Sequence, residues 1–206
     1  MILQALAGYY EKLAEDDKLE RPGWSKAKVS YALEISLDGT LKRVAPLKVE
    51  EGSGKKKVWR PQFIRVPEHV NHNRGISANF LCDNSSYILG SDNKGNPEGY
   101  AVRCFQSAKE KHLDILKDCS GEPARAVMAF FENWNPDDAQ TCKLLQEDKE
   151  EIFVGANLVF LYKGQYAQED AEIQRAWEKF LDKSRNAEKG LCMVTGESDE
   201  IARIHT

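Results

Sequence analysis

The sequence predicts an α+β fold: a mixed, largely antiparallel sheet with helices packed against it. Three observations carry this. Lys28–Leu37 alternates apolar and polar residues, the period of a half-buried strand. Ile2–Ala14 and Asp170–Lys183 repeat apolar residues every three or four positions, the period of an amphipathic helix. Strand patterns crowd into a sheet-rich stretch, residues 1–90. Helical patterns fill 98–190, so the two kinds of element are segregated rather than alternating.

Taken in order, Ile2, Leu3, Leu6, Tyr9, Tyr10 and Leu13 share one helix face, and Asp16-Asp17 with Pro22-Gly23 end the helix. That face is expected to pack on the sheet; the alternative is a surface for a partner. In the alternating strand Val29, Tyr31, Leu33, Ile35 and Leu37 oppose Lys28, Ser30, Ala32, Glu34 and Ser36, and Leu41–Val49 returns after Asp38-Gly39. A two-residue loop would pair Tyr31 with Pro46 and Ile35 with Lys42, opposing the apolar sets. A three-residue loop, Asp38-Gly39-Thr40, pairs Leu37 with Leu41, Leu33 with Ala45, Tyr31 with Leu47 and Val29 with Val49. A slip of one residue turns every side chain to the other face, so the second register is expected. Pro46 then marks an edge or a bulge. Glu50–Lys57 reads as a flexible loop, and Val58–Val66 as a strand interrupted at Pro61 and closed by Pro67.

Two apolar runs, Phe80–Cys82 and Tyr87–Leu89, flank Asp83-Asn84-Ser85-Ser86, which predicts a hairpin over Asn79–Gly90. Asp83, Asn84 and Ser85 are expected to be structural, tying that hairpin by side-chain hydrogen bonds. Asp92–Pro97 is a turn cluster. Glu98–Asp118 reads as a helix with Val102, Phe105, His112, Leu113 and Leu116 facing inward. Pro123 opens a short helix to Trp134, and Pro136 another to about Asp148. Phe153–Leu161 reads as a strand broken by Gly155. After the Asp170–Lys183 helix, a returning strand is expected near Leu191–Thr195, with the later strands rejoining the first sheet.

The chain has 206 residues, 41% hydrophobic and 30% charged, enough for one domain with a real core or for a domain plus a small helical lobe. No apolar run approaches the ~20 residues of a membrane helix. The start lacks a signal peptide's basic region and cleavage site, so a cytoplasmic chain with no membrane partner is expected. Cys82, Cys104, Cys119, Cys142 and Cys192 are scattered without a C-x-x-C pair, which fits reduced thiols.

The net charge of −4 conceals an asymmetry. Counting Lys and Arg against Asp and Glu, residues 1–41 carry −2, residues 42–74 carry +6 and residues 75–206 carry −8. Lys42, Arg43, Lys48, Lys55, Lys56, Lys57, Arg60, Arg65 and Arg74 make up the basic segment. Such a segment binds phosphates even in an acidic protein, or else forms a solvated face. Trp59 and Phe63 are interleaved with it and either stack on bases or belong to the core. Other chemistry has little support. His69-x-x-His72 lacks the second half-site a zinc finger needs. Asp83 and Asp92 are the candidate carboxylates for a metal-dependent nuclease, yet both sit in turn-forming Asp-Asn pairs. There is no Walker loop, nucleophile elbow or dinucleotide fingerprint, so no cofactor is expected.

Several stretches are more specific than their patterns: Met1–Leu6, Tyr9-Tyr10, Gly23–Lys26, Val66-Pro67-Glu68, Gly75-Ile76, Asn79–Tyr87, Leu191–Glu197 and Ile201–His205. Together they resemble the large subunit of the type I-C CRISPR Cascade complex, from the first residue to the last, with Lys109–Lys189 matching only loosely. Members of that family are much longer, so the chain looks like the N-terminal domain, 1–206, of a longer subunit. The resemblance implies a non-catalytic role in antiviral defence. The family's large subunit reads the protospacer-adjacent motif on target double-stranded DNA, helps open the duplex and presents a surface for the helicase-nuclease. Guide RNA and other Cascade subunits are the remaining partners, and guide pairing reads the rest of the sequence. A reader of this kind needs cations for phosphates and amides for base edges. Lys55, Lys56, Lys57, Arg60 and Arg65 would supply the first. Asn71 and Asn73, with Arg74 and Gly75, would form the reading loop. The alternative is a protein-interaction scaffold whose basic segment docks other Cascade subunits or guide RNA.

Overall fold

The computed structural model describes residues 2–15, 20–51, 58–69, 75–95, 99–184, 189–192, 196 and 198–200. The fold is α+β, as the segregated patterns predict. Its centre is a five-stranded sheet built from β2 (Tyr31–Ile35), β3 (Leu41–Pro46), β6 (Cys82–Asn84), β7 (Asn157–Tyr162) and β8 (Gln165–Tyr166). The order is β3-β2-β7-β6, with β8 hairpinned onto β7. β7 runs parallel to β2 and antiparallel to β6, so a strand from the second half of the chain does rejoin the first sheet. Its run Leu158-Val159-Phe160 is fully buried, as a central strand covered on both faces requires.

Alternation sorts the two faces. Tyr31, Leu33, Ile35, Leu158 and Phe160 join the large core made with α3 (Tyr100–Leu116), α4 (Glu122–Asn133) and α6 (Ala171–Ser184). Ala32, Ala45, Cys82, Val159 and Leu161 face the other way, onto Ala27, Val29 and Val66. Those last residues belong to a three-stranded sheet of β1 (Trp24–Val29), β4 (Lys48–Glu51) and β5 (Val58–Pro67), ordered β1-β5-β4.

The hairpin register differs from expectation. The long alternating strand breaks at Ser30 into β1 and β2. The pairs are Tyr31 with Pro46, Ala32 with Ala45, Leu33 with Val44 and Glu34 with Arg43, and a bulge between Glu34 and Ile35 then pairs Ile35 with Leu41. The rejected register is therefore adopted from Tyr31 to Glu34, while Ile35 meets Leu41 and not Lys42. Opposing apolar sets assumes one wet face, whereas β2 is covered on both, and the bulge absorbs the extra turn residue. Pro46 does lie on the edge strand β3. At the hairpin tip Asp38 accepts from the Ser36 hydroxyl and the Thr40 amide, at 2.5 and 3.3 Å. Gly39, at φ +77°, lies so close to α4 that a Cβ would sit 2.2 Å from the Phe130 nitrogen.

Asn79–Gly90 is not a hairpin. β6 leads directly into α2 (Ser85–Ile88), whose N-cap is Asn84, its side chain accepting from the Ser86 amide at 3.0 Å. A short apolar run such as Tyr87-Ile88-Leu89 suits a buried helix as well as a strand, and Asn-Ser-Ser is helix-capping chemistry as much as turn chemistry. The structural role expected of Asp83 stands, with different partners: it accepts from the Asn79 and Asn84 amides, both at 2.8 Å.

Other differences are smaller. The apolar face of α1 (Ile2–Glu15) does not pack on the sheet: Ile2, Leu3, Leu6, Tyr9 and Tyr10 are each more than half exposed. Val102 of α3 is exposed as well. Two 3-10 turns, Pro136–Asp138 and Lys143–Leu145, replace the helix expected to Asp148. Phe153 ends up in α5 (Lys149–Gly155) rather than in a strand. β9 (Lys189–Leu191) pairs with β10 (Ser198–Glu200) and not with either larger sheet; residues 193–195 of the expected returning strand lie outside the described residues. No described helix is long and apolar enough to cross a membrane.

Candidate nucleic-acid interface

β5 organises the basic segment. Its C-terminal part, Gln62–Pro67, pairs antiparallel with β1, and its N-terminal part, Val58–Pro61, pairs antiparallel with β4. The partners change at Pro61/Gln62. Pro61 therefore sits where ladder hydrogen bonding is renegotiated, and the strand runs through the proline instead of being interrupted there. β5 is ten residues long, about 33 Å at ~3.3 Å per residue. The candidate residues follow this strand. Lys55, Lys56 and Lys57 precede it in sequence, Arg60 and Arg65 lie on it, and Asn71, Asn73 and Arg74 follow it. Those three lysines, Asn71, Asn73 and Arg74 lie outside the described residues. Gly75 is described: exposed, at φ +75°, a conformation that favours glycine, and among the described residues nothing lies within 4 Å of where a Cβ would stand.

Several cations of the segment have acidic partners. Arg43 Nε meets Glu34 at 2.9 Å, an exposed cross-strand pair. Arg65 and Lys26 converge on Glu20, at 2.5 and 3.2 Å. Burial opposes the charge on Glu20, but hydrogen bonds from Lys26 and Arg65 hold its carboxyl below the usual range. Lys48 Nζ donates to the Tyr31 hydroxyl at 2.8 Å and to Glu151 at 2.5 Å. Burial disfavours the Lys48 ammonium, yet the bonds to Glu151 and Tyr31 outweigh it and push its pKa up to about 12. The same half-buried cluster raises the Tyr31 phenol to about 12, desolvation first, with Asp148 and Glu151 accepting from its hydroxyl at 3.0 Å each. Lys48 thus clamps β4 to β2 and α5 and is not offered to a ligand. Lys42 and Arg60 are exposed.

The aromatic residues are resolved in favour of the surface. Trp59 is 63% exposed and Phe63 is 66% exposed. Odd positions of β5 share a face, so Trp59, Phe63 and Arg65 stand together. Antiparallel pairing adds Lys28 opposite Phe63 and Lys26 opposite Arg65. Lys28 Nζ lies 5.6 Å from the centroid of the Phe63 ring. Lys26 and Lys28 were missed because they fall outside the basic window in sequence; the exposed phase of the first strand's alternation was the available signal.

The carboxylates considered for nuclease chemistry have structural partners. Asp83 is buried on backbone amides, and Asp92 accepts from the Ser86 hydroxyl at 3.2 Å and the Lys94 amide at 2.8 Å. Among the described residues no group of three His, Cys, Asp or Glu is placed to hold a metal. The segment after the candidate reading loop is held fast. Lys111 Nζ donates to the Ala78 carbonyl at 2.7 Å, and the Leu81 amide, in a left-handed backbone at φ +59°, donates to His112 Nε2 at 2.9 Å. His112 Nδ1 in turn donates to the Ala108 carbonyl at 2.6 Å.

No curated protein matches the chain. The family model described as CRISPR-associated protein (Cas_Csd1) matches residues 6–206. With nearly its whole length inside that match, the chain belongs to the Cas_Csd1 family of CRISPR-associated proteins and is a Cascade-type CRISPR subunit.

Proposed function

We propose that the chain is the N-terminal domain of a type I-C Cascade large subunit, a non-catalytic, cytoplasmic protein that binds target double-stranded DNA, reads its protospacer-adjacent motif and helps open it. The observation that carries the reading is β5. This ten-residue strand spans about 33 Å, close to one turn of duplex at ~34–36 Å, and in sequence it lies between the lysine run and the asparagine segment. In this reading the cations that precede β5 in sequence grip phosphates, and the amides that follow it in sequence reach base edges. Guide RNA, the other Cascade subunits and a recruited helicase-nuclease are the partners this role requires.

The assembled complex tests this by gel shift with motif-bearing and motif-lacking duplexes of equal length. Tighter binding to the motif duplex is expected, and equal binding overturns motif reading. A second reading, a scaffold that docks other subunits, is favoured by the exposed apolar face of α1 and by the cations already paired with carboxylates. It predicts that neighbouring subunits are retained in a pull-down without DNA and lost when Leu6 and Tyr10 become polar.

A further inference from the structure

We infer that the outer face of β5 and β1 is a stacking platform for single-stranded nucleic acid, formed by Trp59 and Phe63 with Lys28 beside them. This goes beyond motif reading: it concerns the face of β5, whereas the proposed reader uses the segments at its ends.

The two rings are four residues apart on one strand, hence about 13 Å apart along it. Both stand out from a sheet whose opposite face is closed by Ala27, Val29 and Val66 against the larger sheet. An aromatic ring binds a base through its π-face. In a duplex those faces are covered by neighbouring base pairs about 3.4 Å away. Two rings about 13 Å apart therefore match an extended strand whose unstacked bases meet them one after the other. Charge on the face suits a phosphate backbone. Lys28 makes no ion pair among the described residues, and its ammonium lies against Phe63, where a phosphate tracking past a stacked base would run. Lys26 and Arg65 extend the cationic line on the same face, with Glu20 between them. Glu50, opposite Trp59, is the counter-charge at the far end. Three cations against two carboxylates give a weakly basic face, so stacking rather than charge dominates the binding.

Trp59 also supplies the readout. Trp24 and Trp177 are buried and Trp134 is half-buried, so Trp59 is the most exposed of the four tryptophans. The full chain is titrated with oligo(dT) of about 15 nucleotides, within the ~4–16 nucleotides of single-strand sites. Oligo(U) and a blunt duplex of the same length are the other arms. Both single strands are expected to quench tryptophan emission, and the tighter of the two names displaced DNA or RNA as the source. The duplex is expected to compete poorly. Trp59→Ala, read by anisotropy of a labelled strand, and Phe63→Ala, read by quenching, should each weaken single-strand binding about 5- to 150-fold. Their melting temperatures should be unchanged, since both rings are exposed. The salt slope should be small, between ~0.7 and ~2.1 for one to three phosphate contacts at ~0.7 each. Single-strand binding that is absent, or unchanged in both variants, overturns the platform, as does a duplex that binds equally and loses equally. Motif preference in the assembled complex should survive Trp59→Ala, so the two proposals fail separately.

Discussion

Protonation of a single buried histidine should govern a large part of the chain's acid stability. His112 is fully buried, and desolvation drives its pKa down from 6.5 to about 3, with the nearby Lys111 ammonium adding to the effect against the hydrogen bond to Ala108. The geometry agrees, because Nε2 must stay unprotonated to accept from Leu81. In the unfolded chain the ring takes its proton near 6.5, well before the folded ring does. The unfolded state then binds more protons, and stability falls with falling pH. The contribution is full above pH ~6.5 and drains as pH falls towards 3. By pH 5 the drop of ~1.5 units below the unfolded pKa is worth about 2 kcal/mol, at 1.36 kcal/mol per unit. His112→Phe keeps an aromatic ring beside Phe131 and Phe80, which lie 4.2 and 5.1 Å away by ring centroid. It orphans the Leu81 amide, at a cost of ~1–3 kcal/mol at neutral pH. It also removes the titration. Urea unfolding at pH 7.5 and pH 5 measures both effects. The variant should start less stable and lose about 2 kcal/mol less than the parent across that interval. Carboxylates held below their usual pKa range, such as Asp38 and Glu172, titrate in both proteins and cancel in the difference. Equal losses in parent and variant would refute the reasoning.

Three further outcomes follow from the same geometry. Asp83→Ala strips the acceptor from two amides, at ~1–3 kcal/mol for each orphaned donor, and should lower the melting temperature without changing single-strand quenching; an unchanged melting temperature would remove Asp83 from its structural role. Glu20→Gln releases Lys26 and Arg65 from their shared carboxylate and should tighten single-strand binding while steepening its salt dependence by up to ~1.4, two contacts at ~0.7 each; a flatter slope contradicts this. Replacing Lys55, Lys56 and Lys57 together with alanine should weaken motif and non-motif duplexes alike and lower the salt slope by up to ~2.7, three contacts at ~0.9; an unchanged slope takes these lysines out of the interface.

Much of the fold was legible because its signals are local. The periodicity of Ile2–Ala14, Glu98–Asp118 and Asp170–Lys183, and Pro123 at a first turn, gave four helices near their observed bounds. What failed depended on partners the sequence does not name. The β2–β3 register turned on β2 being covered on both faces, and that covering comes from α4 and from the β1–β5–β4 layer. Tyr87 and Ile88 fell in a helix, with Leu89 as its C-cap, because β7, more than 60 residues later, takes the strand partnership of Cys82–Asn84. The exposed face of α1 was the reverse case: an amphipathic pattern states which face is apolar but not what covers it. Of the candidate site, the basic segment was visible as charge density. The union of Lys28 with Phe63 was not, since it is made by strand pairing across 35 positions.

The reading of duplex DNA is tested most directly in the assembled complex carrying Asn71→Ala and Asn73→Ala, titrated against motif and mutated-motif duplexes at fixed salt. A lost base contact should weaken the motif duplex by ~1–3 kcal/mol, about 5- to 150-fold, and leave the mutated duplex nearly unchanged. Equal losses on both, or no loss on either, would contradict a reading loop at the end of β5.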